Sequence, residues 1–111
     1  MNCLIWNIWG LGNQRAFSNL HQLIADEDLS LVFLCETKLV SGQCSNIRAR
    51  LGFDSCHIED SFGCKGWLIL LWKSPMVIEI QSSSLRHIDV VISHDYRSWR
   101  FTGFYGNSVI E

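Results

Sequence analysis

Two stretches of the chain are apolar at every position, and they restrict the folds that it can adopt. They are LVFLC at 31–35 and WLILL at 67–71. A strand with one solvated face alternates apolar and polar side chains, so strands without alternation are covered on both faces. We therefore predict a sheet that is buried between two further layers.

The rest of the chain supplies two helices and additional strands. The spacing of apolar residues predicts one helix over 14–26 and a shorter one over 42–52, with Gly52 as its C-cap. Strands are predicted at 2–6, 29–36, 53–59, 67–73, 76–83, 86–95 and 97–106. Two helices cover one face of one sheet. The other face needs a second sheet, and we predict that the chain has too few strands to build both.

Length and composition limit the class of protein. The 111 residues suffice for one small domain, and 48% hydrophobic with 18% charged residues exclude disorder. The net charge of -2 provides no global basic field, so any contact with nucleic acid would come from a local patch. The longest apolar run, WLILLW, is too short to span a membrane. Five cysteines without a C-x-x-C pair indicate a reducing, intracellular compartment.

Polar side chains stand at the ends of the first two predicted strands. Strand, helix and strand over the first 36 residues form a crossover unit, which brings Asn7 and Glu36 to the same edge of the sheet. A carboxylate beside an amide offers the oxygen ligands that Mg²⁺ prefers. The alternative is that Glu36 ends a strand and forms an ion pair with Lys38 or Arg15.

A second polar cluster lies in WRFTGFYGN at 99–107. Tyr105 and Asn107 follow a predicted strand, and both side chains can donate hydrogen bonds to phosphate oxygens. The alternative is a half-buried tyrosine whose hydroxyl group faces water.

Four motifs together resemble a known family. LIWNIWGLGNQRA, LVFLCETKL, GCKGWLILLWK and WRFTGFYGN occur in the order and spacing of the N-terminal half of the endonuclease/exonuclease/phosphatase family. They are most similar to the endonuclease domain of plant non-LTR (LINE-type) retrotransposons. The resemblance spans essentially the whole chain.

The resemblance implies a fold, an activity and a set of site residues. The fold would be part of a four-layer α-β-β-α sandwich, of the mixed α/β class. The activity would be Mg²⁺-dependent, or Mn²⁺-dependent, hydrolysis of phosphodiester bonds in DNA, in the nucleus if the gene is expressed. The implied catalytic residues are Asn7, Glu36 and Tyr105. Of these, Glu36 and Asn7 would also bind the metal ion. The residues that would contact phosphate or DNA are Asn107, Lys38 and Arg100.

Three departures from the family pattern leave the activity open. Trp9 stands where the retrotransposon pattern has arginine, and Ser108 stands where it has proline. The family's general base and its final Asp-His pair lie in a second half that residues 1–111 do not contain. We therefore expect a partial domain that is inactive alone. The alternatives are a non-catalytic remnant or a module that binds nucleic acid or protein, including self-association through an uncovered sheet.

Overall fold

The protein forms two β-sheets and two helices in its computed structural model, which describes residues 2–7, 14–39, 44–61, 65–84 and 86–104. The predicted helices and strands are confirmed within these ranges, with ends displaced by a few residues, and the predicted positions 42–43 and 105–106 lie outside the described residues. In chain order the elements are β1 (Asn2–Asn7), α1 (Gln14–Glu27), β2 (Leu29–Leu39), α2 (Cys44–Leu51), β3 (Ser55–Ser61), β4 (Lys65–Trp72), β5 (Val77–Ser83), β6 (His87–His94) and β7 (Arg97–Phe104).

The first sheet contains four strands in the order β1-β2-β4-β3. Strands β1 and β2 are parallel, because α1 carries the chain back to the starting edge before β2 begins. Strand β4 pairs antiparallel with both β2 and β3. The predicted strand-helix-strand unit is therefore confirmed.

Both helices cover one face of this first sheet. Leu20 and Ile24 of α1 lie in the same buried cluster as Ile47 and Leu51 of α2. Alternate side chains of β2 and β4 complete that cluster: Val32, Leu34, Ile69 and Leu71. No described helix is long and apolar enough to cross a membrane.

Helix α2 ends as its sequence predicts. Gly52 has a φ of 84°, which a residue with a side chain rarely adopts. Its N–H donates to the carbonyl of Ala49 at 3.1 Å, and the N–H of Phe53 donates to the carbonyl of Arg48 at 3.0 Å. This pair of bonds is a Schellman motif, which confirms Gly52 as the C-cap.

The second sheet contains three antiparallel strands in the order β5-β6-β7, and it packs on the other face of the first sheet. The remaining side chains of β2 and β4 meet those of β6 in a second buried cluster. Its members include Leu31, Phe33, Cys35, Leu68, Leu70, Ile88, Val90 and Ile92. The chain is thus buried on both faces of the sheet over 31–35 and 68–71, as predicted for these apolar runs.

The prediction that the chain has too few strands for two sheets is wrong. After β4, a tight turn closed by the N–H of Met76 and the carbonyl of Lys73 directs the chain into the second layer. The pattern of apolar residues predicts how many strands the chain forms, but it does not predict which sheet each strand joins. The described residues therefore form three layers of the α-β-β-α arrangement: helices, first sheet and second sheet.

The outer face of the second sheet is solvated. In β5 the side chains of Val77, Glu79 and Gln81 are exposed, whereas Ile78 and Ile80 pack against the core. This alternation of apolar and polar residues is typical of a strand with one solvated face. The uncovered face therefore belongs to the second sheet, whereas β2 and β4 of the first sheet are covered on both sides.

Candidate functional site

The carboxyl ends of β1 and β2 lie side by side. Their parallel register sets Trp6 opposite Leu34 and Asn7 opposite Cys35. Since Glu36 follows Cys35 directly, the backbone positions of Asn7 and Glu36 are adjacent, at what we call the Asn7–Glu36 edge. This adjacency confirms the sequence prediction for the backbone. The side chains of both residues lie outside the described part of the structure, so their roles stay predictions.

Strand β2 is irregular at this edge. Against β4, Cys35 pairs with Leu68, and the next pair joins Leu39 to Gly66. Two more residues lie between these pairs on β2 than on β4, which is typical of a bulge that bends a strand. The prediction that the strand stops at Glu36 is wrong, because backbone pairing resumes after the apolar run has ended. The backbone of Lys38 lies within the bulge, and its side chain is not described.

Strand β7 runs toward the same edge. His94, which precedes the β6–β7 turn, lines a cavity together with Asp28 at the start of β2. Farther along β7, Gly103 contacts the ring of Phe33 in the middle of β2. Strand β7 therefore has the direction of β2. Its last residue, Phe104, lies toward the Asn7–Glu36 edge.

Two predicted site residues follow β7 in the sequence. Tyr105 and Asn107 come directly after it, and both lie outside the described residues. The described part of β7 runs toward the Asn7–Glu36 edge and ends at Phe104. Contact of Tyr105 or Asn107 with a phosphate group stays a prediction.

Arg100 lies on the outer face of the second sheet and forms an ion pair. Its Nε donates to Oδ1 of Asp89 at 2.9 Å, and its Nη2 donates to Oδ2 at 2.5 Å. The hydroxyl group of Thr102 donates to Oδ1 at 3.0 Å. The Asp89 residue is 7% exposed, whereas the Arg100 side chain is 66% exposed. The guanidinium group is therefore committed to Asp89, and its contact with DNA stays a prediction.

Sequence reasoning missed Asp89, although a signal for it exists. Asp89 interrupts the apolar segment HIDVVIS, and the β6–β7 register places it opposite Thr102, two residues from Arg100. A two-residue hairpin turn at Asp95 and Tyr96, which both have positive φ angles, fixes that register. A two-residue turn assumed between these two alternating strands would have placed Asp89 near Arg100 and so predicted the ion pair.

The ion pair changes the acidity of Asp89. Hydrogen bonds from Arg100 lower the pKa of Asp89 to about 2, and the bond from Thr102 and the positive charge of Arg100 act in the same direction. Partial burial opposes the shift. Because a hydrogen-bonded carboxylate is favoured over its protonated form, Asp89 stays ionised at neutral pH.

The pKa of Asp89 predicts a pH dependence of stability. An aspartate in the unfolded chain has a pKa of about 3.9. The ionised Asp89 therefore stabilises the fold above that pH, and this contribution is lost as the pH falls toward the folded-state pKa of about 2. We expect Asp89→Asn to lower stability at pH 7 and to flatten the loss of stability in acid, measured by urea unfolding across pH. Arg100→Gln should likewise reduce the dependence of stability on pH in this acid range. An equal loss of stability in acid for the wild type and both variants would contradict this prediction.

The donor chemistry at the Asn7–Glu36 edge fits a hard divalent cation. A carboxylate from Glu36 and an amide oxygen from Asn7 are the ligand types that Mg²⁺ takes, and one or two carboxylates suffice when substrate phosphate supplies the rest. Among the side chains that the structure describes, no group of three or more His, Cys, Asp or Glu residues is arranged to hold a metal. The metal prediction therefore depends on Asn7 and Glu36.

The cavity at the opposite end of the sheets is separate from this edge. It encloses about 230 Å³ and is lined by residues that include Asp28, Ser30, Lys73 and His94. Asp28 directly precedes β2 and Ser30 lies at its amino end, whereas Glu36 lies toward the opposite end of that strand. The cavity therefore contributes nothing to the predicted phosphate site.

Comparison with known proteins identifies a fold. No protein-family model matches the sequence, and no curated protein matches it. The structure is similar to the endonuclease domain of TRAS1, a telomere-specific non-LTR retrotransposon, with a TM-score of 0.64 and 12% sequence identity. The match covers 95% of this chain and 45% of that domain's chain. The protein therefore has the α/β fold of somewhat less than half of that retrotransposon endonuclease domain.

Proposed function

We propose that the chain supplies one part of a Mg²⁺-dependent phosphodiesterase site that acts on DNA. We also propose that it belongs to the endonuclease/exonuclease/phosphatase family, near the LINE-type enzymes of plants. The four sequence motifs and the likeness in fold to a retrotransposon endonuclease domain support this assignment. Both the activity and the family are proposals.

The parallel register of β1 and β2 is the observation that carries the proposal. It sets Asn7 beside Cys35 and hence next to Glu36 at one edge. Polar residues at the carboxyl ends of neighbouring parallel strands are a common basis for binding sites in α/β folds.

Each residue at this edge has a proposed task. Glu36 holds the divalent ion through its carboxylate, and Asn7 provides an amide that orients the scissile phosphate. Tyr105 donates a hydrogen bond to a phosphate oxygen. When bound, Mg²⁺ would stabilise negative charge on the phosphoryl oxygens and the leaving group. By the resemblance, the residues that activate water belong to a later part of the family domain than the motifs present here.

Basic residues near this edge support DNA as the substrate class. Leu39 pairs with Gly66, so Lys38 and Lys65 flank this pair, one on each side, at the end of β2 and the start of β4. Arg15 lies in the first turn of α1, which follows β1 in the chain. Phosphate contacts by such residues release counterions. We therefore expect the DNA affinity of the chain to fall steeply as the salt concentration rises.

Metal binding by Glu36 is the first test. We expect Mn²⁺, used as a probe for Mg²⁺, to bind to the purified chain in a calorimetric titration, and Glu36→Gln to abolish the heat. The matched control is Glu79→Gln, which removes an exposed strand carboxylate on the second sheet and should leave binding unchanged. Equal binding by wild type and Glu36→Gln would contradict the proposal.

DNA binding measured with and without metal separates the proposed function from its alternative. With Mg²⁺ and supercoiled plasmid, we expect no nicking by the chain alone, since loss of general-base assistance costs about 10²-fold or more. Metal binding at Glu36 together with salt-sensitive DNA binding would support the nuclease assignment. A DNA affinity that is unchanged by metal and by Glu36→Gln would instead favour a module that binds nucleic acid without catalysis.

A further inference from the structure

The cavity at the end of the sheets opposite the Asn7–Glu36 edge has walls from three segments of the chain. The start of β2 provides Asp28 and Ser30, the connection from β4 to β5 provides Lys73 and Ser74, and the end of β6 provides His94. We call this space, of about 230 Å³, the His94 cavity. A single water molecule needs about 10–15 Å³ of such space. The cavity therefore has room for a small ligand.

The main-chain N–H groups of the connection that forms one wall are already hydrogen-bonded. The N–H of Lys73 donates to the carbonyl of Ser30 at 3.1 Å, and the N–H of Met76 donates to the carbonyl of Lys73 at 3.1 Å. The N–H of Ser74 donates to Oδ2 of Asp54 at 2.7 Å. These bonds fix the wall and leave side chains as the donors that can bind a ligand.

His94 brings an unpaired polar atom to the His94 cavity. Alternate side chains of β6 pack against the first sheet, namely Ile88, Val90 and Ile92, and His94 continues this face at the end of the strand. Its Nδ1 atom is buried and has no hydrogen-bond partner among the described residues. A buried polar atom without a partner is unfavourable. The buried Nδ1 therefore indicates a molecule in the cavity that forms a hydrogen bond with it.

Two cationic side chains at this end of the sheets have no acidic partner among the described residues. Lys73 lines the cavity, and its ammonium group lies 5.4 Å from the centre of the Phe53 ring. Arg97 pairs with His94 in the β6–β7 register. Neither cation forms an ion pair with a described carboxylate. The described lining also contains one acidic residue, Asp28, which is exposed. This balance favours an anion as the ligand.

The possible donors surround the cavity from different directions, which suits a tetrahedral group. They are the hydroxyl groups of Ser30 and Ser74, the ammonium group of Lys73 and the imidazole of His94. The nearby carboxylate of Asp54 is held by the N–H of Ser74. A phosphoryl group presents at least three strong acceptor oxygens that point in different directions. The arrangement of donors on three segments therefore favours phosphate over a planar carboxylate.

We propose that the His94 cavity binds free phosphate or the phosphoryl group of a small molecule, with Nδ1 of His94 and the ammonium group of Lys73 as donors. The cavity is smaller than the about 300–1,000 Å³ of pockets for drug-sized ligands, so few atoms besides the phosphoryl group would fit. This inference does not depend on the proposed nuclease function, because Glu36 lies toward the other end of β2.

NMR titration with inorganic phosphate, without divalent metal, tests the proposal. The pH is held constant, and sodium chloride keeps the ionic strength constant. We expect phosphate to shift the Nδ1 signal of His94 and the amide signals of Ser30 and Ser74, with one Kd for all three. The imidazole signals of His21 and His57 should stay in place, because neither residue lines the cavity.

Three variants make the test specific. Lys73→Gln should weaken phosphate binding about tenfold or more, since it removes a charged hydrogen-bond donor. Arg86→Gln is the matched control: it removes one positive charge from the exposed β5–β6 turn, at the other end of the second sheet, and should leave the Kd unchanged. Asp28→Asn should tighten binding, because it removes a negative charge from the lining. Asparagine also accepts the φ of 49° at this position.

Methyl phosphate distinguishes the two sources of the phosphoryl group. Binding at least as tight as that of inorganic phosphate would support the phosphoryl end of a larger molecule as the ligand. Weaker binding of methyl phosphate would support the free ion.

Three results would overturn the proposal. The first is a His94 signal that does not respond to a large excess of phosphate. The second is equal weakening by Lys73→Gln and Arg86→Gln, since the ion would then be attracted by overall charge alone. The third is weaker binding in Asp28→Asn, because an anion gains nothing from that carboxylate.

Discussion

Replacing Phe33 by alanine should lower the free energy of unfolding by about 3–5 kcal/mol, the range for a phenylalanine deleted from a packed core. Phe33 is completely buried between the two sheets, where its ring meets Phe101 and Gly103. A small domain is stable by about 5–15 kcal/mol, so the variant would lose a large share of that stability. Urea unfolding followed by tryptophan fluorescence measures the change.

The exposed phenylalanine Phe104 provides the matched control for this prediction. Phe104 is 73% exposed at the end of β7, so Phe104→Ala should change stability by no more than about 0.5 kcal/mol. If Phe33→Ala does not fold, Phe33→Leu gives a smaller loss of the same sign. A loss for Phe33→Ala no greater than that for Phe104→Ala would show that the two sheets do not pack against each other.

Replacing Gly103 by alanine should destabilise the chain by about 1–3 kcal/mol, because it forces extra volume into a filled core. A Cβ atom at Gly103 would lie 2.8 Å from two atoms of the Phe33 ring, closer than such contacts allow. The ring cannot move away freely, because Phe33 is buried on every side. Only glycine therefore lets β7 approach β2 as closely as it does.

A double variant tests this close contact directly. Phe33→Leu shortens the side chain, so Gly103→Ala should cost less in that background, and the two changes should be non-additive by about 0.5–3 kcal/mol. Gly52→Ala is the control. Nothing lies within 4 Å of a Cβ at Gly52, and its cost comes from the positive φ, so Phe33→Leu should not reduce it. Additive effects at Gly103 and Phe33 would contradict the predicted contact.

The core of this protein was largely predictable from its sequence, for a physical reason. Runs such as LVFLC have no polar position to expose, and the structure buries all five side chains, two toward the helices and three toward the second sheet. Gly52 was predictable because few residues adopt its φ angle. The assignment of β5, β6 and β7 to a separate sheet was not predictable, since it depends on the direction that the chain takes at the turn before Met76.

The candidate site was predictable where it depends on chain connectivity. A crossover of ordinary length obliges Asn7 and Glu36 to share an edge, and the register of β1 and β2 confirms this for their backbones. The bulge after Cys35 has no apolar signature, so it could not be predicted from the pattern of residues. Asp89 was missed because its partners become apparent only when β6 and β7 are aligned as a hairpin.

The stability of the core and the geometry of the site are connected through β2. Val32 and Leu34 fix one face of this strand against the helices, while Leu31 and Phe33 fix the other face against the second sheet. A slip of one residue would turn every one of these side chains to the wrong layer. Packing on both faces therefore fixes the register that brings Glu36 beside Asn7.

Paramagnetic broadening by Mn²⁺ is the most direct test of the proposed metal site. In the NMR spectrum of the labelled chain, we expect Mn²⁺ to broaden the amide signals of Asn7 and Glu36 first, while signals from the opposite end of β2, such as Leu29, stay sharp. Excess Mg²⁺ should restore the signals, and Glu36→Gln should prevent the broadening. Broadening centred on Asp28 or Asp54, or equal broadening in Glu36→Gln, would contradict the account.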